Sequence, residues 1–356
     1  MSYACSSMSI LASFPGVLAC AAVLGLGVIA PEFTERPEVQ WAPWALGLLG
    51  FGIPHGALDH QIPYGRTQAR SGIGFLVGYL GAMAAVLLLW WIMPLAALIG
   101  FLIVAAFHFG QGDLYWSRVS RNELHDEATD PCDRFGAWLA WHSALLLLVR
   151  GLVPVALPVL VFDEMFAEAA NALTGRLFGD SGQWAISELH RRVGLMVVGV
   201  VVVLHLATLV LETLRHPNRT RITLSEAAGS ALLVCLFSVV PPVLAMGVYF
   251  NGWHAIRHVV RLLPIAEPTR AAARSGHWLT ALAQFHRATL PTTVIALAMM
   301  GLLWWFVRAR TGAVADFGLA ALAMISALTL PHVLVVLGMD RMQAVWGRSR
   351  AGEVQL

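Results

Sequence analysis

Lysine is absent from this chain of 356 residues; all 23 basic residues are arginine. With no lysine amine there is no Schiff base to a carbonyl ligand, which excludes a pigment that binds retinal covalently. Walker-type nucleotide binding, which needs a P-loop lysine, is excluded as well. Charge is scarce, at 12% of residues against about 25% in soluble domains. The net charge is only +2 and the arginines are dispersed, so no run tracks a phosphate backbone and nucleic acid is not an expected partner. The four cysteines, Cys5, Cys20, Cys132 and Cys235, form no CxxC pair. They read as apolar fillers rather than a disulfide framework.

What the chain has is hydrocarbon. Hydrophobic residues make up 58% and the mean hydropathy is +0.70. The apolar runs are continuous rather than alternating, which selects helices over a membrane barrel. With roughly 20 apolar residues per span, the candidates are 8–30, 41–58, 73–92, 94–112, 135–162, 193–213, 225–240, 243–263, 290–307 and 314–337. Pro241-Pro242 must break or kink the chain, and Arg150, Pro154 and Pro158 make 135–162 irregular. The first run has no basic segment before it and reads as a span rather than a cleaved signal. The expected fold is all-α, a polytopic integral membrane protein of about eight to ten transmembrane helices enclosing a metal site. One transmembrane domain over 1–356 is expected, multi-pass in the cell inner (plasma) membrane. The polar segments 113–134 and 163–192 are connections, the second with the option of an interfacial helix.

Of thirteen histidines, six have an ordinary reading. His125, His190, His216 and His277 lie in polar linkers, and His142 and His205 are single interior histidines that bond a neighbouring helix. Four others stand apart. His254 and His258 lie four residues apart in Trp253-His-Ala-Ile-Arg-His258, so a regular helix puts both imidazoles on one face. His55 lies in Pro54-His-Gly-Ala-Leu-Asp59 and His108 in Phe107-His-Phe-Gly110. Each has a small residue or a proline nearby that lets backbones approach or deform. Ionisable groups in hydrocarbon are costly and mark function, and a shared metal site explains four of them together.

Neutral imidazole binds Zn, Cu, Fe and Ni, so ligand type alone leaves the metal open. Metal-bound histidines donate their other N–H to a carboxylate or carbonyl, which makes Asp59 and Asp113 supporting candidates, although both also suit a span terminus. Arg257, between the paired histidines, is expected to pair with one of those carboxylates. Tyr249, Phe250 and Trp253 line either a substrate channel or an ordinary helix contact. His60 and His332 stay outside the ligand set, His332 as either a fifth metal-proximal group or part of the pocket. A histidine-rich membrane di-metal desaturase or hydroxylase, a metal-ion transporter and a bis-histidine haem protein remain alternatives. Against the first, the chain has one HxxxH and no HxxHH.

These segments resemble the Brp/Blh family of β-carotene 15,15′-dioxygenases. The matching motifs are Pro54–Asp59, Phe107–Gly110 with Asp113, Trp253–His258, and Pro331-His332. The resemblance implies a non-haem Fe(2+) held by His55, His108, His254 and His258. It also implies a membrane oxygenase that uses O2 to cleave the central 15,15′ double bond of β-carotene, giving two all-trans-retinal.

Overall fold

The computed structural model describes residues 2–62, 72–121, 134–179, 183–311, 317–343 and 345–346. Cys132 and His125 lie outside them. Among the described residues the protein is helical and contains no strand. In chain order the α-helices are α1 (Ser2–Ile29), α2 (Pro31–Thr34), α3 (Pro37–Gly47), α4 (Ile73–Ile92), α5 (Pro94–Arg121), α6 (Arg134–Val161) and α7 (Asp163–Asn171). They continue as α8 (Glu188–Arg215), α9 (Thr220–Val239), α10 (Pro242–Val248), α11 (Ile256–Leu262), α12 (Glu267–Arg274), α13 (Trp278–Thr311) and α14 (Phe317–Met342).

Eight helices among the described residues are long and apolar enough to cross a membrane: α1, α4, α5, α6, α8, α9, α13 and α14. This is a polytopic helical membrane protein. The interior belongs to α6 and α14, whose apolar stretches are each 61% buried, against 11% for α4 and 17% for α8 and α13. The peripheral helices turn large apolar side chains outward, among them Val200, Val203 and Leu204 on α8. That arrangement suits hydrocarbon, where exposed apolar surface carries no cost.

Two expected spans are not continuous helices. The run 41–58 passes from α3 into a π-helical turn over Leu48–Gly52, then short 3₁₀ turns over Pro54–Gly56 and Asp59–Gln61. The run 243–263 passes from α10 through a π-helix over Tyr249–Ala255 into α11. Pro241-Pro242 stops α9 as the sequence requires. The interruption of the first run follows Gly50, Gly52 and Pro54, which give the backbone freedom and then remove an N–H donor. The His254–His258 spacing therefore belongs to a π-to-α junction, not to one regular helix. Such π segments recur at functional sites.

Irregular backbone at membrane depth must be covered by protein, and side chains clasp the two interrupted segments. Asn251 Nδ2 donates to the Gly247 carbonyl at 2.9 Å and the Pro43 carbonyl at 3.2 Å. Trp44 Nε1 donates to the Val243 carbonyl at 2.8 Å. A Cβ at Gly47 would overlap the Asn251 carboxamide, and one at Gly52 would come 2.6 Å from its Oδ1. From the other side α1 crosses at Gly16, where a Cβ would lie 2.6 Å from the Gly252 carbonyl oxygen.

Elsewhere the polar expectations shift. The segment 113–134 does not begin as a loop, because α5 runs through Asp113 to Arg121. Asp113 is buried within that helix and is not a span terminus. The segment 163–192 holds α7, a π turn over Ala172–Leu177 and the start of α8. Arg121 ion-pairs with Glu212 on α8, and with Glu226 on α9 at 2.5 Å. His142 on α6 meets Glu226 at 3.3 Å, and His205 meets Ser230 at 3.2 Å. Both histidines are interior residues bonded to neighbouring helices, as the sequence suggests.

Two outcomes follow for stability in detergent. A Cβ at Gly151 on α6 would overlap the Ala106 carbonyl of α5, whereas one at Gly78 on α4 would meet nothing within 4 Å. Gly151→Leu is expected to cost about 1–3 kcal/mol by overpacking and Gly78→Leu close to nothing, as read by denaturant titration of helicity. Arg121→Ala leaves buried carboxylates without their cation and is expected to cost about 3–5 kcal/mol in the same titration.

Candidate metal centre

Five imidazoles converge in the interior, each from a different stretch of backbone. His55 sits on the 3₁₀ turn that Pro54 starts, His108 on α5, His254 on the π-helix, His258 on α11 and His332 on α14. All five are buried, between 4% and 9% exposed. The His55 ring centroid lies 5.7 Å from His254, 5.6 Å from His258 and 4.9 Å from His332. The His108 centroid lies 4.7 Å from His254, 6.4 Å from His258 and 4.9 Å from His332. His258 and His332 are 5.0 Å apart.

The outward nitrogens are engaged. His55 Nδ1 is bonded to the Gly52 carbonyl. His108 Nδ1 faces Gln111 Oε1 at 3.3 Å, and Gln111 Nε2 donates to Asp340 Oδ2 at 2.7 Å. Asp340 in turn accepts from the Arg261 guanidinium at 2.6 Å. His332 Nδ1 meets both Asp59 oxygens, at 2.9 and 3.1 Å, and Asp59 also accepts from the Tyr79 hydroxyl at 3.2 Å.

The inward nitrogens lack protein partners or face one another. His108 Nε2 and His254 Nε2 are 3.1 Å apart. The Nε2 atoms of His258 and His332 are buried with no hydrogen-bond partner. An unsatisfied buried polar atom costs about 1–3 kcal/mol, and several aimed at one region describe a place for a cation. One nitrogen from each of His55, His108 and His332 lies within 4.8 Å of the other two, and this buried three-histidine group could hold a metal ion. A missing methyl makes room at Gly56, where a Cβ would come 3.3 Å from His332 Nδ1.

The structure distributes the other sequence candidates around this cluster. Asp59 lies beside the cluster, but it bonds His332 rather than His55. Asp113 holds no imidazole. It accepts from Trp253 Nε1 at 3.1 Å and Arg257 at 2.5 Å, and Arg150 lies 3.5 Å away. The Arg257 guanidinium rests 4.0 Å from the Trp253 ring centroid, so this unit braces the π-helix from behind. Of the aromatic trio, Phe250 stands edge-on to His55 at 5.5 Å and stacks on His254 at 6.0 Å. Tyr249 packs edge-on to Phe109 at 5.1 Å and to Phe237 at 5.5 Å in the core. His60 is exposed against Gln61.

His332, read from the sequence as a metal-proximal group or a pocket residue, stands within the cluster. The sequence reading also missed Gln111, Asp340, Arg261 and Phe109, whose ring centroid is 4.9 Å from His254. Gln111 carried a signal, being three residues after His108 and so on its face. Asp340 and Arg261 carried none, since their partners are remote in sequence.

The sequence also has relatives. Residues 46–340 match the family described as Beta-carotene 15,15'-dioxygenase. The chain is similar to a Halobacterium salinarum (strain NRC-1) protein named Probable beta-carotene 15,15'-dioxygenase Blh, 32% identical over 279 residues and 76% of each chain. It is 29% identical over 311 residues, 86% of this chain and 78% of the relative, to the Probable beta-carotene 15,15'-dioxygenase Brp of strain R1. A protein of an uncultured marine bacterium, 66A03, named Beta-carotene 15,15'-dioxygenase, is 34% identical over 79 residues, 21% of this chain and 28% of the relative. No solved structure matches. The matched region contains all five clustered histidines and both interrupted segments from Leu48 onward, and this chain belongs to the beta-carotene 15,15'-dioxygenase family.

Proposed function

We propose that this protein is a membrane Fe(II) dioxygenase that cleaves the central 15,15′ double bond of β-carotene with O2 and releases two all-trans-retinal. The observation that carries the reading is the convergence of buried imidazoles, with unpartnered inward nitrogens, inside an apolar helical bundle of this family. The proposed ligands are His55, His108, His254 and His258. Neutral nitrogen donors disfavour Mg and Ca, which take oxygen. Zinc has no redox chemistry, and iron bound by imidazole supplies the activation of O2. Family membership and the isolated HxxxH favour this reading over a di-metal desaturase, hydroxylase or transporter.

The residues do the rest. The outward hydrogen bonds of His55 and His108 hold each ring in one orientation, and for His108 the Gln111–Asp340–Arg261 chain extends that support. Phe250 and Phe109 pack against the imidazoles and keep that face apolar, which suits a polyene and limits side reactions with water. One molecule of O2 and one of β-carotene balance two aldehydes with no net proton, so no acid–base pair is required. The lipid bilayer dissolves the substrate and delivers it without passage through water. A single membrane domain spanning 1–356, multi-pass in the cell inner membrane, would carry this activity.

Expression in a bacterial host that accumulates β-carotene is expected to bleach the orange colour and yield retinal. Unchanged carotenoid beside membrane-inserted, iron-loaded protein would overturn the substrate. Purified protein is expected to hold about one iron per chain, measured by elemental analysis. Alanine at each of His55, His108, His254 and His258 should abolish retinal formation, and full activity in all four variants would remove the site. Gln111→Leu should weaken iron retention about 10–100-fold, as loss of an outer hydrogen bond does, in a chelator competition.

A further inference from the structure

We propose that His332 is a fifth nitrogen donor to the metal and that Asp59 is the residue that positions it. This rests on the iron-centre reading above and extends it.

Three observations carry it. An ionised carboxylate only accepts hydrogen bonds, so Asp59, at 2.9 and 3.1 Å, draws the proton of His332 onto Nδ1. The lone pair is then on Nε2, which is buried and has no partner. The ring that bears this nitrogen stands in the cluster, 4.9 Å from His55, 4.9 Å from His108 and 5.0 Å from His258 between centroids. The group whose donor atoms fall within 4.8 Å of one another contains His332, beside His55 and His108.

The electrostatics point the same way. Four neutral imidazoles leave a divalent ion with its full charge in a medium of low dielectric, where charge interactions are strongest. Asp59 is 2% exposed and is the carboxylate bonded directly to a clustered imidazole. Through His332 it supplies compensating negative charge, in the carboxylate–histidine–metal pattern of known centres. Tyr79 donates to the same carboxylate at 3.2 Å and holds it in place. Gly56 lets the ring approach, since a Cβ there would press on His332 Nδ1 at 3.3 Å.

A purely structural alternative is that Asp59 and His332 only clasp the 3₁₀ segment to α14. The two roles separate by spectroscopy. Full-length wild type, His332→Ala, His332→Gln and Asp59→Asn are purified anaerobically and loaded with ferrous iron. Nitric oxide is added for electron paramagnetic resonance, and iron release to a chelator is timed. The expected result is an altered ferrous–nitrosyl signal in both His332 variants and release about 10–100-fold faster in all three. Added imidazole should restore the wild-type signal to His332→Ala. Variants that keep the wild-type signal and release rate overturn the proposal while leaving the iron centre intact. If His332→Ala fails to fold, the same measurements on His332→Gln and Asp59→Asn decide. Wild-type protein that binds no iron overturns the iron reading itself, and this proposal with it.

Discussion

Interrupted backbone inside hydrocarbon must find every hydrogen-bond partner within the protein, and the rest of this molecule is arranged around that obligation. Two segments abandon the regular helix in the bundle interior, and the proposed ligands His55, His254 and His258 all lie on them or at their ends. Asn251 meets much of the demand, reaching two carbonyls on two helices through space left by Gly47 and Gly52. A regular helix would satisfy itself and need no clasp. It would also present its imidazoles in one fixed stripe and leave less freedom to aim them.

Charge is handled by layering. Closest to the imidazoles stand Asp59 and the neutral Gln111, each bonded to a histidine. Beyond them Asp340 is paired with Arg261, and Asp113 with Arg257 and Arg150. Further out Arg121 joins Glu212 and Glu226 across three helices. Asp113, Asp340, Glu212 and Glu226 each have an arginine within ion-pair distance, which is the condition for tolerating a buried charge. Asp113 illustrates the division of labour: it bonds the indole and guanidinium that brace the π-helix and leaves the histidines to other partners.

Much of this was readable from the chain because hydropathy and helix-breaking residues act locally. Eight of the ten long apolar runs became continuous helices, Pro241-Pro242 ended α9, and His55, His108, His254 and His258 came together. Arg257 found Asp113, one of the two carboxylates expected for it. What stayed hidden depends on contacts between distant residues. His332 lies at sequence separation 273 from Asp59 and Gln111 at 229 from Asp340, so neither pairing leaves a local trace. The π-helix was missed for a different reason. It interrupts a run that reads as one span, and neither Asn251 nor His254 within it marks where the register changes.

The position of α14 has a consequence for how the protein is made. It follows every other long helix in synthesis, yet it is among the two most deeply buried, and it carries His332 and Asp340 into the centre. A helix that arrives late and sits in the middle cannot be laid against the outside of a finished bundle. The earlier spans must enter the bilayer with a gap between them, their imidazoles and Arg261 waiting for partners not yet translated. Insertion and assembly are thus separate stages here, and the histidine cluster can close only at the second.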